Sequence, residues 1–152
     1  MHVVLVEPEI PQNTGTTARL CAATNTTLHL VGRLGFSLDE KKVRRAGLDY
    51  WPLVKLITYE SIEEFKEKNK DGRFFLFTTH STKPYTEVEF KENDYLIFGR
   101  ETGGLPKDWI KDAGENAVTI PMHSAGVRSL NLATSVGIAL YEALRQINFK
   151  FE

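Results

Sequence analysis

At 152 residues, with 41% hydrophobic and 26% charged side chains, the chain can bury one continuous core but not two, and its composition is neither that of a disordered chain nor that of a membrane protein. A formal net charge of −1 excludes the strongly basic kind of nucleic-acid-binding domain, so any contact with a polyanion has to be local. The single cysteine, Cys21, excludes an internal disulfide, and the four histidines, His2, His29, His80 and His123, show no metal-ligand spacing, so no metal is expected.

The first predicted strand is the apolar run Val3 to Val6, which has neither the basic start nor the small-residue cleavage site of a signal peptide; a cytoplasmic protein is expected. PEIPQNTGTTARLCAA, Pro8 to Ala23, then reads as a loop entering a helix, whose free backbone amides make a ready anion site. Asn13 is a candidate N-cap, and Arg19, six positions on, would project from the second turn; read alone, the pair is more simply an ordinary cap with an exposed arginine. Cys21, with no histidine near it in sequence, is read as a small core residue rather than a nucleophile. A second strand is predicted at Leu28 to Val31, followed by a helix whose start is marked by Ser37 and Glu40 at capping-box spacing. That helix carries Lys41, Lys42, Arg44 and Arg45, which are either a solvated face or a phosphate-binding patch, with Tyr50 and Trp51 just beyond.

Leu53 to Ile57 is the third predicted strand, and Ser61 with Glu64 marks a further helix start, within a charged surface stretch that runs to Arg73. FFLF and YLIF, in the runs Phe74 to Thr78 and Tyr95 to Phe98, are apolar at successive positions, which suits strands covered on both faces. YLIFGRETGGLP continues into Gly99, Gly103 and Gly104, where a backbone approaches a ligand closely or simply turns; Glu101 among them is harder to ascribe to a turn. Pro106 suits the start of a helix at Lys107 to Ala113, and Ala117 to Ile120 is the last predicted strand. Ser129 and Asn131 then enter a long helix, Leu130 to Ile147, on which Leu132, Val136, Leu140, Leu144 and Ile147 form one stripe. Ala133, Gly137 and Tyr141 form a neighbouring stripe that could admit another helix at a subunit interface. Strands alternating with helices predict an α/β domain: a mostly parallel sheet flanked by helices.

EPEIPQNTG with Arg19, RRAGLDYW, FGRETGGLP, and IPM followed by RSLNL and YEALRQ are individually weak but jointly specific. Together they resemble the SPOUT class of methyltransferases. Within it they look like the small subgroup that methylates the ribose 2′-hydroxyl of the wobble nucleotide, position 34, of certain tRNAs. The similarity spans nearly the whole chain, so residues 1–152 are expected to form one SPOUT domain. It implies a C-terminal deep trefoil knot, a rare exception to unknotted connections. It also implies S-adenosylmethionine held by the knotted loops and an active site at a homodimer interface.

Carried over by position, the cofactor residues are Phe77, Thr78, Thr79, Gly99, Glu101, Gly104, Ile120, Met122, Ser129 and Leu130. The catalytic set of the related 2′-O-methyltransferases falls on Asn13, Arg19, Glu101, Ser129 and Asn131. Gly103 departs from the pattern, standing where many relatives carry a basic residue, with Arg100 nearby instead. Arg19 is expected to stabilise charge developing on the 2′-oxygen or to contact the adjacent phosphate, with Asn13 fixing the guanidinium or the ribose; a guanidinium is a poor base. Lys41, Lys42, Arg44, Arg45, Tyr141 and Arg145 are the candidates for holding the tRNA anticodon loop, Tyr141 being equally readable as a core or interface residue. The alternatives are methylation of another tRNA or rRNA nucleotide, or a non-catalytic RNA-binding protein on the same scaffold. A nucleotide-dependent oxidoreductase is disfavoured, because the dinucleotide fingerprint is missing.

Overall fold

The computed structural model describes residues 1–38, 41, 45, 50–123 and 126–151. Six parallel strands form one sheet, in the order β3-β2-β1-β5-β4-β6. They are β1 (His2–Val6), β2 (Thr27–Val31), β3 (Leu56–Tyr59), β4 (Phe74–Phe77), β5 (Tyr95–Phe98) and β6 (Ala117–Val118). The helices with assigned bounds are α1 (Pro11–Ala23), α2 (Ile62–Lys68), α3 (Lys107–Ala113) and α4 (Leu132–Gln146). The predicted α/β class and the parallel sheet are both present.

Helices on both sides explain why the central strands read as continuous apolar runs. Alternate residues of each strand enter different cores. Val3, Leu5, Phe75 and Leu96 join Cys21 of α1 and Val136 and Leu140 of α4, whereas Val4, Val6, Leu76 and Ile97 join Phe65 of α2 and Trp109 of α3. Cys21 is fully buried, and that burial pushes its thiol up to about 12, which suits a packing role.

Local signals differ in how they turn out. Ser61 caps α2 by accepting from the Glu64 amide at 3.1 Å, while the Glu64 carboxylate reaches back to the amide of Glu60 rather than to that of Ser61. Asn131 caps α4, accepting from the Thr134 amide at 3.1 Å, so that helix starts at Leu132 rather than Leu130. Asn13 is not a cap: Pro11 is preorganised for a first helical turn, α1 therefore begins earlier, and Ile10 takes the cap position without a side-chain bond. The third strand is Leu56–Tyr59 rather than Leu53 to Ile57, because Pro52 lies in a single helical turn, Trp51–Leu53. Glu40, Lys42 and Arg44 lie outside the described residues.

The chain around β6 is held from two sides. β6 pairs with Leu76 and Phe77, and Val118 accepts from the Thr78 amide at 2.9 Å. On its other side, Thr119 donates to the Lys83 carbonyl at 2.8 Å and accepts from the Tyr85 amide at 2.9 Å. The chain at 117–119 is thus bonded on one side to Thr78 and on the other to Lys83 and Tyr85. No helix among the described residues is long and apolar enough to cross a membrane.

Candidate active site

Parallel strands place all their carboxyl ends on one edge, and ligands of open α/β sheets bind there. At this edge the chain leaving β4, the glycine turn after β5, and the stretches Thr119 to Met122 and Arg128 to Asn131 surround a cavity of about 670 Å³. Every cofactor residue carried over from the resemblance lines it: Phe77, Thr78 and Thr79 on one wall, Gly99, Glu101 and Gly104 on the next, and Ile120, Met122, Ser129 and Leu130 on the third. A hollow of about 800 Å³ at the opposite edge is lined by side chains such as Lys68, Asp71 and Lys91 and includes none of these residues.

The glycine turn has a steric reason at each end. A side chain on Gly99 would place its Cβ 2.1 Å from the carbonyl carbon of Gly104, since the turn folds back on itself there. Gly104 takes a left-handed φ of 64°, and a Cβ built on it meets nothing within 4 Å, so its absence leaves cavity space free. The Gly104 amide donates to the Arg100 carbonyl at 2.9 Å, which closes the turn.

Glu101 crosses from this turn to α1. Its carboxylate accepts from the amides of Glu9 at 2.8 Å and Ile10 at 2.7 Å, and from the Asn13 side-chain amide at 3.1 Å. Asn13 in turn accepts from the Asn131 side-chain amide at 3.1 Å. Glu101, Asn13 and Asn131 therefore form one relay joining the glycine turn, α1 and the cap of α4, and Asn13 is 6% exposed. Its side chain is committed to this relay rather than to the Arg19 guanidinium. In the opposite direction, Glu9 accepts from the amide of Thr102 at 2.9 Å and from its hydroxyl at 2.7 Å. Those bonds hold the Glu9 carboxyl below the usual carboxylate range.

Arg19 stands apart. It is exposed on α1, roughly 9 Å along the helix axis from Asn13, and its guanidinium lies over the Tyr50 ring, 4.8 Å from the centroid. It does not line the cavity of its own chain. Of the residues expected to hold RNA, Lys41 and Arg45 are exposed, and Tyr141 is 47% exposed beside Phe149, which rules out the core reading for that tyrosine. Arg145 is tied to Glu142 by two bonds of 2.9 Å. Sequence reasoning missed His80 and Arg128, which also line the cavity; Arg128 begins the RSLNL stretch already singled out, so proximity was the available signal.

The cavity fits an S-adenosylmethionine-sized ligand. Its volume is within the range of small-molecule sites, Phe98, Ile120 and Leu130 offer apolar surface, and the turn exposes backbone close to the open space beside Gly104. Among the described residues, no group of three or more His, Cys, Asp or Glu side chains is placed to hold a metal.

Named relatives and solved structures are similar to the chain over nearly its whole length. The chain is 50% identical over 153 aligned positions to a Bacillus subtilis (strain 168) protein provisionally named tRNA (cytidine(34)-2′-O)-methyltransferase, covering 99% of this chain and 95% of that one. It is 42% identical to the tRNA (cytidine(34)-2′-O)-methyltransferase of Yersinia pestis, covering 98% and 95%. A structure described as giving insight into the 2-OH methylation of C/U34 on tRNA superposes with a TM-score of 0.90 at 47% identity, over 97% of this chain and 95% of that one. An S-adenosylmethionine-bound rRNA methyltransferase from Sinorhizobium meliloti superposes with a TM-score of 0.85 at 25% identity, over 96% of this chain and 56% of that one. Residues 1–141 match the SpoU rRNA Methylase family. With that match over most of its length and full-length relatives of this identity, the chain belongs to the SpoU methylase family.

Proposed function

We propose that this protein transfers a methyl group from S-adenosylmethionine to the ribose 2′-hydroxyl of the wobble nucleotide of tRNA, acting in the cytoplasm as one SPOUT domain and as a homodimer. One observation carries the reading: three segments remote in sequence converge on a single cavity at the carboxyl edge of the sheet, and every residue the resemblance assigns to the cofactor lines it. The nucleotide comes from the relatives, whose names specify cytidine 34.

Held in the cavity, S-adenosylmethionine would supply an electrophilic sulfonium methyl, which the ribose 2′-oxygen would take in line as its proton leaves to solvent, with S-adenosylhomocysteine as the leaving group. The protein's part is alignment, which can account for about 7–11 kcal/mol of a barrier in well-oriented reactions. The walls at Phe77 to Thr79 and Ile120 to Met122 hold the cofactor and exclude water, and the glycine turn and Ser129 shape the cavity beside them. The relay of Glu101, Asn13 and Asn131 keeps the turn and the two helices in register.

Arg19 completes the site from the second subunit. It is solvent-facing and outside its own cavity, on α1, which packs beside α4. A guanidinium placed at the 2′-oxygen stabilises developing negative charge and positions the adjacent phosphate. Lys41 and Arg45 contribute phosphate contacts, so binding weakens as salt rises, and Tyr141 offers a face on which an unpaired anticodon-loop base can stack.

Purified protein incubated with labelled S-adenosylmethionine and unmodified tRNAs should label position 34. Label elsewhere in tRNA or in rRNA would select the alternative substrate, and cofactor binding without any transfer would select a silent scaffold. Arg19→Ala should lose transfer by about a hundredfold or more while still binding cofactor. Near-normal transfer would remove Arg19 from the chemistry.

A further inference from the structure

The Arg100–Gly104 turn has little to stiffen it from within. It contains two glycines, Gly103 and Gly104, whose backbone loses more conformational freedom on ordering than that of other residues. The closing bond from Gly104 to Arg100 spans the turn but does not fix its orientation relative to the neighbouring walls. That orientation has to come from outside.

Two carboxylates provide it by crossing over each other. Glu101 reaches from the turn to the amides of Glu9 and Ile10, and Glu9 reaches back, its Oε1 accepting from both the amide and the hydroxyl of Thr102. The segment bearing Glu9 is itself gripped from the far side. The Gly35 amide donates to the Pro8 carbonyl at 3.0 Å, and a Cβ on Gly35 would sit 2.9 Å from the Glu9 Cα. Glu9 therefore projects from a backbone held on both flanks, and Thr102 lines the cavity.

We propose that Glu9 is a positioning residue for the cofactor turn: its carboxylate locks Thr102 and thereby holds the glycine turn in the shape that receives S-adenosylmethionine. The inference rests on the cofactor reading above and extends it to a residue outside the cavity lining. Glu9 touches neither cofactor nor RNA; it acts through Thr102. Because one oxygen accepts both bonds, a neutral amide oxygen of the same reach replaces most of its function, whereas a methyl group replaces none.

The test compares wild type, Glu9→Ala, Glu9→Gln and Thr102→Val in the full-length protein, with S-adenosylmethionine affinity measured by titration calorimetry and amide hydrogen exchange followed over the 99–105 stretch. Glu9→Ala should raise the cofactor Kd and KM by about tenfold, the scale of losing charge-assisted hydrogen bonds, with kcat little changed. It should also speed exchange of the Thr102 amide in the cofactor-free protein. Glu9→Gln should recover most of both losses, and Thr102→Val, which keeps the amide but loses the hydroxyl, should fall between. Wild-type affinity and exchange in Glu9→Ala would overturn the proposal, as would a Gln variant as impaired as the Ala variant. Exchange in the cofactor-free protein reads the lock without any reaction, so a wild-type protein that binds no S-adenosylmethionine would sink the functional reading and leave the lock to be judged separately.

Discussion

The two edges of the sheet are built from the same strands yet have opposite chemistry. At the carboxyl edge, glycines leave space open and carboxylates of Glu9 and Glu101 face backbone amides across a turn. Near the amino edge, aromatic and imidazole rings close the structure. His2 Nδ1 and His29 Nε2 are 2.9 Å apart, His29 Nδ1 and the Tyr59 hydroxyl are also 2.9 Å apart, and Asn69 bonds both the Tyr59 and Tyr95 hydroxyls. His2 stacks on Tyr95 with ring centroids 4.2 Å apart. Burial pushes His29 down to about 3 and His2 to about 4, so both are neutral near pH 7. One edge is arranged to receive a ligand, and the other holds the strands together.

The largest break of this contrast should come from Gly99→Ala. The added methyl collides with the Gly104 backbone, an overpacking cost of about 3 kcal/mol, and S-adenosylmethionine affinity measured by calorimetry should fall by two orders of magnitude. The His–Tyr network should be untouched, and unchanged ring resonances of His29 in NMR spectra would show it. A smaller effect separates the edges by pH. Because His29 is neutral in the fold and titrates near 6.5 when unfolded, the unfolded chain binds the extra proton below that point. Stability should be level above pH 6.5 and should decline as pH falls toward about 3, His29 alone accounting for about 2 kcal/mol by pH 5 and His2 adding to the loss. Urea unfolding of wild type and His29→Gln at pH 7 and pH 5 would show it, the variant having the flatter profile. The smallest effect should come from Tyr59→Phe, which removes one partner from His29 and from Asn69. About 1 kcal/mol of stability should be lost, read as a lower urea midpoint, with cofactor affinity unchanged. A shifted affinity would mean the two edges are coupled.

The two edges were also unequally legible. Gly99, Gly103 and Gly104 after an apolar strand mark a close approach locally, and the conjunction of short stretches points to the residues that line the cavity. The amino-edge network left no such mark, because His2, His29, Tyr59 and Tyr95 sit on four strands and only His2 and Tyr95 are direct register partners, the others meeting diagonally across one face. The crossed bonds of Glu9 and Thr102 span 93 positions and were hidden for the same reason. Asn13 was legible as a site residue but not in its role, since Pro11 moved the helix start and turned a presumed cap into a link between Glu101 and Asn131. Arg19 was legible as a functional candidate, but helix periodicity does not reveal that it lies outside the cavity of its own chain.

The bonds that hold residues 117–119 to Thr78 on one side and to Lys83 and Tyr85 on the other have a consequence for biosynthesis. The wall formed by Thr78 and Thr79 meets the wall formed by Ile120 and Met122 only once the C-terminal segment has been seated there. A nascent chain still held by the ribosome at α4 therefore has no finished cavity, however well its first four strands have paired. Competence to bind a ligand in that cavity should arrive late and abruptly, after release, as a clock for the seated C-terminal segment.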